Sequence, residues 1–366
     1  MTDVSERPEA PAEPAAGDAH ARGATARHGD AGPSTARRGS RPWGGDRRLA
    51  DLVTLALWLV LVAPLAVGLV TVHRPRWFPV ADLAQTELRV RDVGTVHTPL
   101  VGLAGRIGPW FDPGSHPGPL SFWFLAPVYR LLGSSSWAVE ASAVTLHAVA
   151  VGLVLWMARR RGGLALVAAT AAGLAVLTRF YGFHVFLEPW NPYLPVTWWL
   201  VLVFAVWSVL DDDLAMVVPA VVAGSFCAQT HLPYVGLVGG LAAFTAAALA
   251  IMAWKARRAG DRAWLGRIGR WSAIAGGLGV ALWAAPLIDQ IWGVHNLTRI
   301  KDSVASPTES ISGFRTGPAE LLRNLDPMTL WTRRDLSGVS SSRGVPWFAV
   351  AMVVLWALAA VGAWFL

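Results

Sequence analysis

The sequence contains one cysteine, Cys227, and only two lysines, Lys255 and Lys301, in 366 residues. One cysteine excludes a disulfide framework and any cysteine-based zinc or iron–sulfur site. Charge is scarce as well: 15% of residues are charged and 54% are hydrophobic. Soluble globular chains run at about 25% and about 45–50%. No phosphate-binding glycine loop, His-Glu-x-x-His or Gly-x-Ser-x-Gly pattern occurs. The first 48 residues are almost wholly polar, so the apolar excess sits in long runs downstream, which excludes an ordinary soluble enzyme. A net charge of +7 would suit a nucleic-acid binder, but with this apolar bulk it reads as charge at a membrane surface. The partner implied first is a lipid bilayer, and no nucleic acid is expected.

Residues 1–48 carry eight Arg against seven Asp or Glu and show no apolar periodicity. They cannot bury enough surface to offset ordering entropy and read as a disordered cytoplasmic tail. A bilayer span takes about 20 mostly apolar residues. Candidate spans cover roughly 51–72, 137–158, 163–179, 194–210, 214–229, 233–254, 271–288 and 345–366. The expected fold is an all-α polytopic bundle of about eight spans, with a membrane domain over 49–344 and a final helix at 345–366. That last run reaches Leu366 with no polar flank and reads as a truncated end.

Basic clusters at Arg47–Arg48, Arg159–Arg161 and Lys255–Arg270 fall on one side of an eight-span chain, which the positive-inside rule makes cytoplasmic. Asp211, Asp212 and Asp213 land there too, read as a solvated helix terminus. The opposite side receives residues 73–136, the segment near 180–193, a tight turn at 229–233, and 289–344. Chemistry-bearing residues gather on this outer side. Pro79–Asp92 reads as a short amphipathic interfacial helix headed by Asp82, either a helix-dipole acid or a functional carboxylate. Glu87 and Arg91 form an i, i+4 pair, read as a local salt bridge. Further along, Asp112-Pro113-Gly114-Ser115-His116-Pro117-Gly118-Pro119 holds a histidine on a rigid turn before Phe122-Trp123-Phe124. Such a histidine binds phosphate, donates a hydrogen bond, ligates metal, or is simply a polar turn residue.

A span, an outer helix carrying an Asp, and a His-Pro-Gly-Pro turn leading into FWFLAPVYRLLG together resemble the GT-C class of glycosyltransferases. The similarity is to its protein mannosyltransferase and aminoarabinose transferase branch, of actinobacterial type. Glu188-Pro189-Trp190-Asn191-Pro192-Tyr193-Leu194-Pro195, Trp283–Gln290 and Asn296-Leu297 look like that branch as well, so the resemblance covers about residues 51–300. It implies a GT-C-like helix bundle with a large first outer loop, a polyprenyl-phosphate sugar donor, and transfer outside the cytoplasmic membrane. The acceptor is a glycan, lipid or protein. By resemblance Asp82 is the general base on the acceptor hydroxyl, because inverting transfer needs a carboxylate to take that proton as the phosphate departs. Phosphate departure calls for positive charge or polar donors, for which His116, Arg89 and Arg130 are the first candidates, with Arg106 and Arg179 behind them. The chain departs from the protein mannosyltransferase pattern in following Asp82 with Leu83 rather than Glu.

Glu188, Asn191, His231, Asp289 and Gln290 are the substrate-binding candidates, each weighed against a plainer role as turn former, belt residue or membrane stop. Trp190 reads as a belt anchor. Glu140 and His147 lie inside the second span, where an ionisable residue is a functional hypothesis by default. Cys227 reads as packing. The cofactor is open, a divalent metal included, and no protein metal ligands are assigned. Two other classes stay open: a polytopic transporter or lipid flippase, and a catalytically silent membrane protein of the same fold. A transporter concentrates ionisable or broken elements at the midplane; here the spans are almost uncharged, which favours chemistry at the surface.

Overall fold

The computed structural model describes residues 47–73, 78–109, 111, 113–307, 313–324 and 347–365. The expected tail at 1–48 lies outside them except for its last two residues, as do Asp112 and all of 325–346. Among the described residues the chain is helical, with one isolated antiparallel bridge between Ala104 and Ser115. In chain order the helices are α1 (Arg47–Val72), α2 (Ala81–Asp92), α3 (Leu120–Leu131), α4 (Ser136–Tyr181), α5 (His184–Leu187) and α6 (Pro195–Leu210). After a 3₁₀ turn come α7 (Val217–Thr230), α8 (Tyr234–Arg258), α9 (Arg262–Trp292), α10 (Asn296–Ala305), α11 (Gly313–Asn324) and α12 (Trp347–Phe365). Four of them, α1, α4, α8 and α9, are long and apolar enough to cross a bilayer. Helices α6, α7 and α12 are apolar but shorter.

Local sequence explains the boundaries. Ser135 caps α4 by accepting the Ala138 N–H, and Asp261 caps α9 by accepting the Trp264 N–H at 2.9 Å. Pro195 opens α6, where a missing N–H costs nothing. Within α4, Gly162 and Gly163 leave helical geometry, and Gly163 takes φ +62°, a conformation that glycine adopts without strain. The element is therefore two helices. Leu177 packs on the cluster that contains Val144, whereas an unbroken helix would hold the two about 50 Å apart at 1.5 Å per residue. The runs 137–158 and 163–179 are thus an antiparallel hairpin bent at the glycine pair. The basic stretch expected as a loop over 255–270 is mostly helix, with only Ala259–Asp261 between α8 and α9.

Helix α1 runs antiparallel to the first half of α4. Asp51 meets Arg159 at 3.6 Å, Trp58 Nε1 donates to the Ala148 carbonyl at 2.8 Å, and Trp137 Nε1 donates to the Leu69 carbonyl at 2.9 Å. Both indoles thereby satisfy their N–H without water, as a helix in lipid requires. The central core is built from α3, α4, α6 and α7, with Phe122, Leu125, Tyr129, Leu155, Val201 and Phe226 almost fully buried. Phe124 of the aromatic run stacks on Phe226 at 5.3 Å, so that run is core packing. In the most apolar stretch of α4 72% of the residues are buried, against 6% in α8, which places α4 inside and α8 at the periphery.

The two ends of the bundle differ in chemistry. At one end Arg160 and Arg161 both reach Asp213, at 2.6 and 2.9 Å, and Arg161 also pairs with Asp211. Asp213 is largely enclosed by this pairing, so Asp211 and Asp213 clamp the α4 bend to the end of α6 and are more than a solvated terminus, while Asp212 stays exposed. The opposite end carries α2, the 93–119 loop, the segment between α4 and α6, the α7–α8 turn and the start of α10.

Candidate functional site

Helix α2 is fixed before its first residues can do anything. Glu87 is buried at 6% exposure, meets Arg91 at 3.1 Å, and accepts from Tyr129 Oη at 3.2 Å and from Ser136 Oγ at 2.7 Å. These bonds tie α2 to α3 and to the start of α4. The i, i+4 pair read from sequence is present and carries this larger anchoring role. At the other end of α2, Ala81 sits at φ +47°, a left-handed turn unusual for a residue with a Cβ, and delivers Asp82 into the first helical turn. Asp82 is half-buried, and its Oδ2 accepts the Trp190 indole N–H at 3.0 Å. Its Oδ1 accepts no hydrogen bond from the described residues.

The neighbour of Trp190 organises the rest. Asn191 is buried, and its amide lies 2.6 Å from His116 Nε2 and 3.2 Å from His231 Nδ1. The Leu232 N–H donates to His116 Nδ1 at 3.0 Å, and the two imidazole rings stand 5.0 Å apart. His116 arrives on a folded-back loop. The Gly102 N–H bonds the His116 carbonyl at 2.9 Å, and the His116 N–H bonds the Leu103 carbonyl at 2.8 Å. Gly118 presses against α7, donating its N–H to the Gln229 carbonyl at 3.2 Å, and a Cβ there would fall on the Gln229 side chain.

Asn296 latches this loop from the far end of the chain. Its Oδ1 accepts the Ser115 N–H at 2.8 Å, and its Nδ2 donates to the Ser115 and His116 carbonyls at 3.0 and 3.3 Å. Asp289, buried at 4% exposure, holds Asn296 in turn by accepting its N–H at 2.9 Å and that of Val294 at 3.1 Å. Gln290 pairs with Thr298 through its side-chain nitrogen at 2.8 Å and its oxygen at 3.1 Å.

Burial sets the charge state. His116 is pushed down to about 4, first by desolvation and then by the neighbouring His231, with Asp82 pulling in the opposite direction. His231 is held below its ordinary value by burial. Both imidazoles are neutral near pH 7. Glu188 is half-buried, burial raises it, and it lies close enough to Glu140 for the two carboxyls to feel each other. His147 bonds Thr197 Oγ1 at 2.8 Å within the core.

Of the residues singled out from sequence, Asp82, His116, Asn191, His231, Asp289 and Gln290 converge on this end of the bundle. Arg89 and Arg130 are exposed, and Arg130 spends its guanidinium on the Val93 carbonyl. Arg106 and Arg179 are exposed too. No Arg or Lys bonds Asp82, His116, Asn191 or His231 among the described residues. Trp190, read as a belt anchor, donates its indole N–H to Asp82, and Asn296 enters the network across 181 residues. The adjacency of Trp190 and Asn191 was the one available signal for the first; nothing near Asn296 announces its pairing. Among the described residues no group of three or more His, Cys, Asp or Glu is placed to hold a metal ion.

An apolar cavity of about 410 Å³ opens beneath the polar cluster, lined from α6, α7, α8 and α9 by Leu202, Val217, Gly224, Ser225, Leu249 and Trp283. Ser225 is six residues before His231, which follows the last residue of α7, so the two are about 9 Å apart along the axis. Comparison of the chain with family models, curated proteins and solved structures gives no match.

Proposed function

We propose that this chain is a membrane glycosyltransferase of GT-C-like fold and about eight spans, moving a sugar from a polyprenyl-phosphate donor to an acceptor on the extracytoplasmic side, with Asp82 as general base. The observation that carries the reading is the Asp82 carboxylate, half-buried and oriented by Trp190 at 3.0 Å, with one oxygen left for a ligand. A base in that position takes the acceptor proton through Oδ1 while Oδ2 stays anchored, which keeps the attacking hydroxyl aligned. The neutral His116–Asn191–His231 group beside it supplies hydrogen-bonding surface for a polar headgroup. The apolar cavity along α7 offers room for part of an isoprenoid chain, and its volume is within the usual range of about 300–1,000 Å³ for small-molecule sites.

The basic clusters of α1, α4, α8 and α9 gather at the opposite end, as positive-inside orientation demands if the aspartate end faces outward. The phosphate-binding role read for His116, Arg89 and Arg130 takes a different form here. His116 is enclosed by protein, and Arg89 and Arg130 are exposed, Arg130 bonded to the Val93 carbonyl at the end of α2 away from Asp82. The test is sugar transfer from a labelled polyprenyl-phosphate hexose in right-side-out vesicles with and without the chain. Label should pass to acceptor only when the chain is present and the donor headgroup is outside; equal transfer without the chain would remove the reading.

A further inference from the structure

The hydrogen bonds around Asn191 fix more than position. The Leu232 N–H can only donate, so His116 Nδ1 must present a lone pair. An imidazolium at His116 is excluded by that contact, since both nitrogens would then carry protons. A neutral His116 therefore has its proton on Nε2 and must donate it. The atom it meets at 2.6 Å belongs to the Asn191 amide, and an amide NH₂ there would leave His116 accepting at both nitrogens, which needs an imidazolate. The Asn191 atom in that place is thus Oδ1, reached by a half-turn of the amide. The same oxygen lies 3.2 Å from His231 Nδ1, so that nitrogen carries a proton and donates as well. A neutral His231 then has its lone pair on Nε2, which takes no hydrogen bond from the described residues.

We propose that His231 is a ligand-facing hydrogen-bond acceptor, locked in its Nδ1–H tautomer by the relay from Leu232 through His116 and Asn191, and that its Nε2 takes a sugar hydroxyl rather than a phosphate oxygen. The relay begins at a backbone amide that cannot change its role, so the polarity at the far end is set by the fold. His231 is half-buried and sits on the His116 ring, while Asp82 lies beside the cluster through the Trp190–Asn191 dipeptide. Two acceptors at this end take no hydrogen bond from the described residues: Asp82 Oδ1 and His231 Nε2. An anionic oxygen brought to that pair meets two lone pairs, and among the described residues no Arg or Lys bonds either side chain, whereas a hydroxyl group supplies the proton an acceptor needs. A polyol satisfies two such acceptors at once. The choice of a sugar hydroxyl rests on the transferase reading, but the tautomer does not.

Two measurements separate those layers. Nitrogen-15 spectra of the full chain, histidine-labelled in nanodiscs at neutral pH, should show His231 protonated at Nδ1 and His116 at Nε2. His231 protonated at Nε2, or His116 at Nδ1, overturns the relay whether or not the protein transfers sugar. The second measurement uses two variants and a polyprenyl-phosphate hexose as the probe donor. His231→Asn keeps an N–H where Nδ1 was but has no acceptor at the Nε2 place, and should raise KM about tenfold with kcat nearly kept, the size of one lost hydrogen bond. His231→Gln reaches that place with its amide oxygen and should return KM to within about threefold of the unaltered chain. Equal KM values for the two variants overturn the acceptor role. Absence of transfer by the unaltered chain removes the transferase reading and leaves the spectra to decide the tautomer.

Discussion

Trp190 donates its indole N–H to Asp82 Oδ2 at 3.0 Å, joining the first turn of α2 to a segment 108 residues later. The bond leaves one carboxylate oxygen toward the open side and fixes the other. Trp190→Phe keeps an aromatic side chain, smaller than the indole, and deletes the donor. A hydrogen bond to a charged group contributes about 1.5–3 kcal/mol, so sugar transfer should fall roughly 10- to 100-fold. Thermal unfolding in detergent should change much less than transfer, because the side chain is only half-buried and an aromatic ring still faces Tyr193.

Asn296 makes three bonds to the backbone of Ser115 and His116. Asn296→Ala strands a donor and acceptors in a buried place and should destabilise the chain by about 1–3 kcal/mol. Asn296→Asp keeps the acceptor for the Ser115 N–H but turns a carboxylate oxygen toward the Ser115 and His116 carbonyls in a buried place beside Asp289, so it should destabilise more than alanine does. Unfolding temperatures of the three proteins, in one detergent, give the order directly.

His116 gives stability a defined pH dependence. Its folded-state value lies near 4, against an ordinary 6.5 in the unfolded chain, so between these values the unfolded state binds more protons. Stability is fully present above about pH 6.5 and is lost as pH falls toward 4, by an amount on the order of 3 kcal/mol. His231, lowered in the same direction, adds to the loss. Unfolding monitored from pH 7 to 4 should show this decline, and His116→Gln should flatten it.

The broad architecture was legible because it rests on composition and periodicity: long apolar helices, and basic clusters collected at one end. The short helix headed by Asp82 was legible too, since Leu83, Leu88 and Val90 alternate with charges along it. The sequence also pointed to the residues that meet at the opposite end, because polar side chains flanking apolar runs have few places to go. The glycine bend at Gly162–Gly163 was visible only as a gap between runs. Long-range side-chain pairing was not legible. Asn296 and Ser115, Trp190 and Asp82, and Gln229 and Gly118 meet through the tertiary path of the chain, which no local pattern encodes. The roles within the site depended on such pairs. Asp289, read as a substrate contact or membrane stop, spends both oxygens on the backbone of 294 and 296.

Gly118 and Gln229 test that kind of contact. Gly118→Ala places a methyl group on the Gln229 side chain, which is itself held by the Leu282 carbonyl at 2.9 Å. Overpacking of this kind costs about 1–3 kcal/mol. Gln229→Ala made in the same chain should recover part of the loss, since it vacates the space the methyl needs. A double-mutant cycle on unfolding temperature reads the coupling, and additive effects would show that the two residues do not collide.

The most direct measurement of the central claim is sugar transfer by Asp82→Asn from a labelled polyprenyl-phosphate hexose in membranes. Asparagine keeps an oxygen to accept the Trp190 N–H but cannot take a proton. Transfer should drop by at least about 100-fold, the usual range for a lost general base, while the amount of folded protein in the membrane is unchanged. Transfer at the rate of the unaltered chain would contradict the assignment of Asp82 as the base.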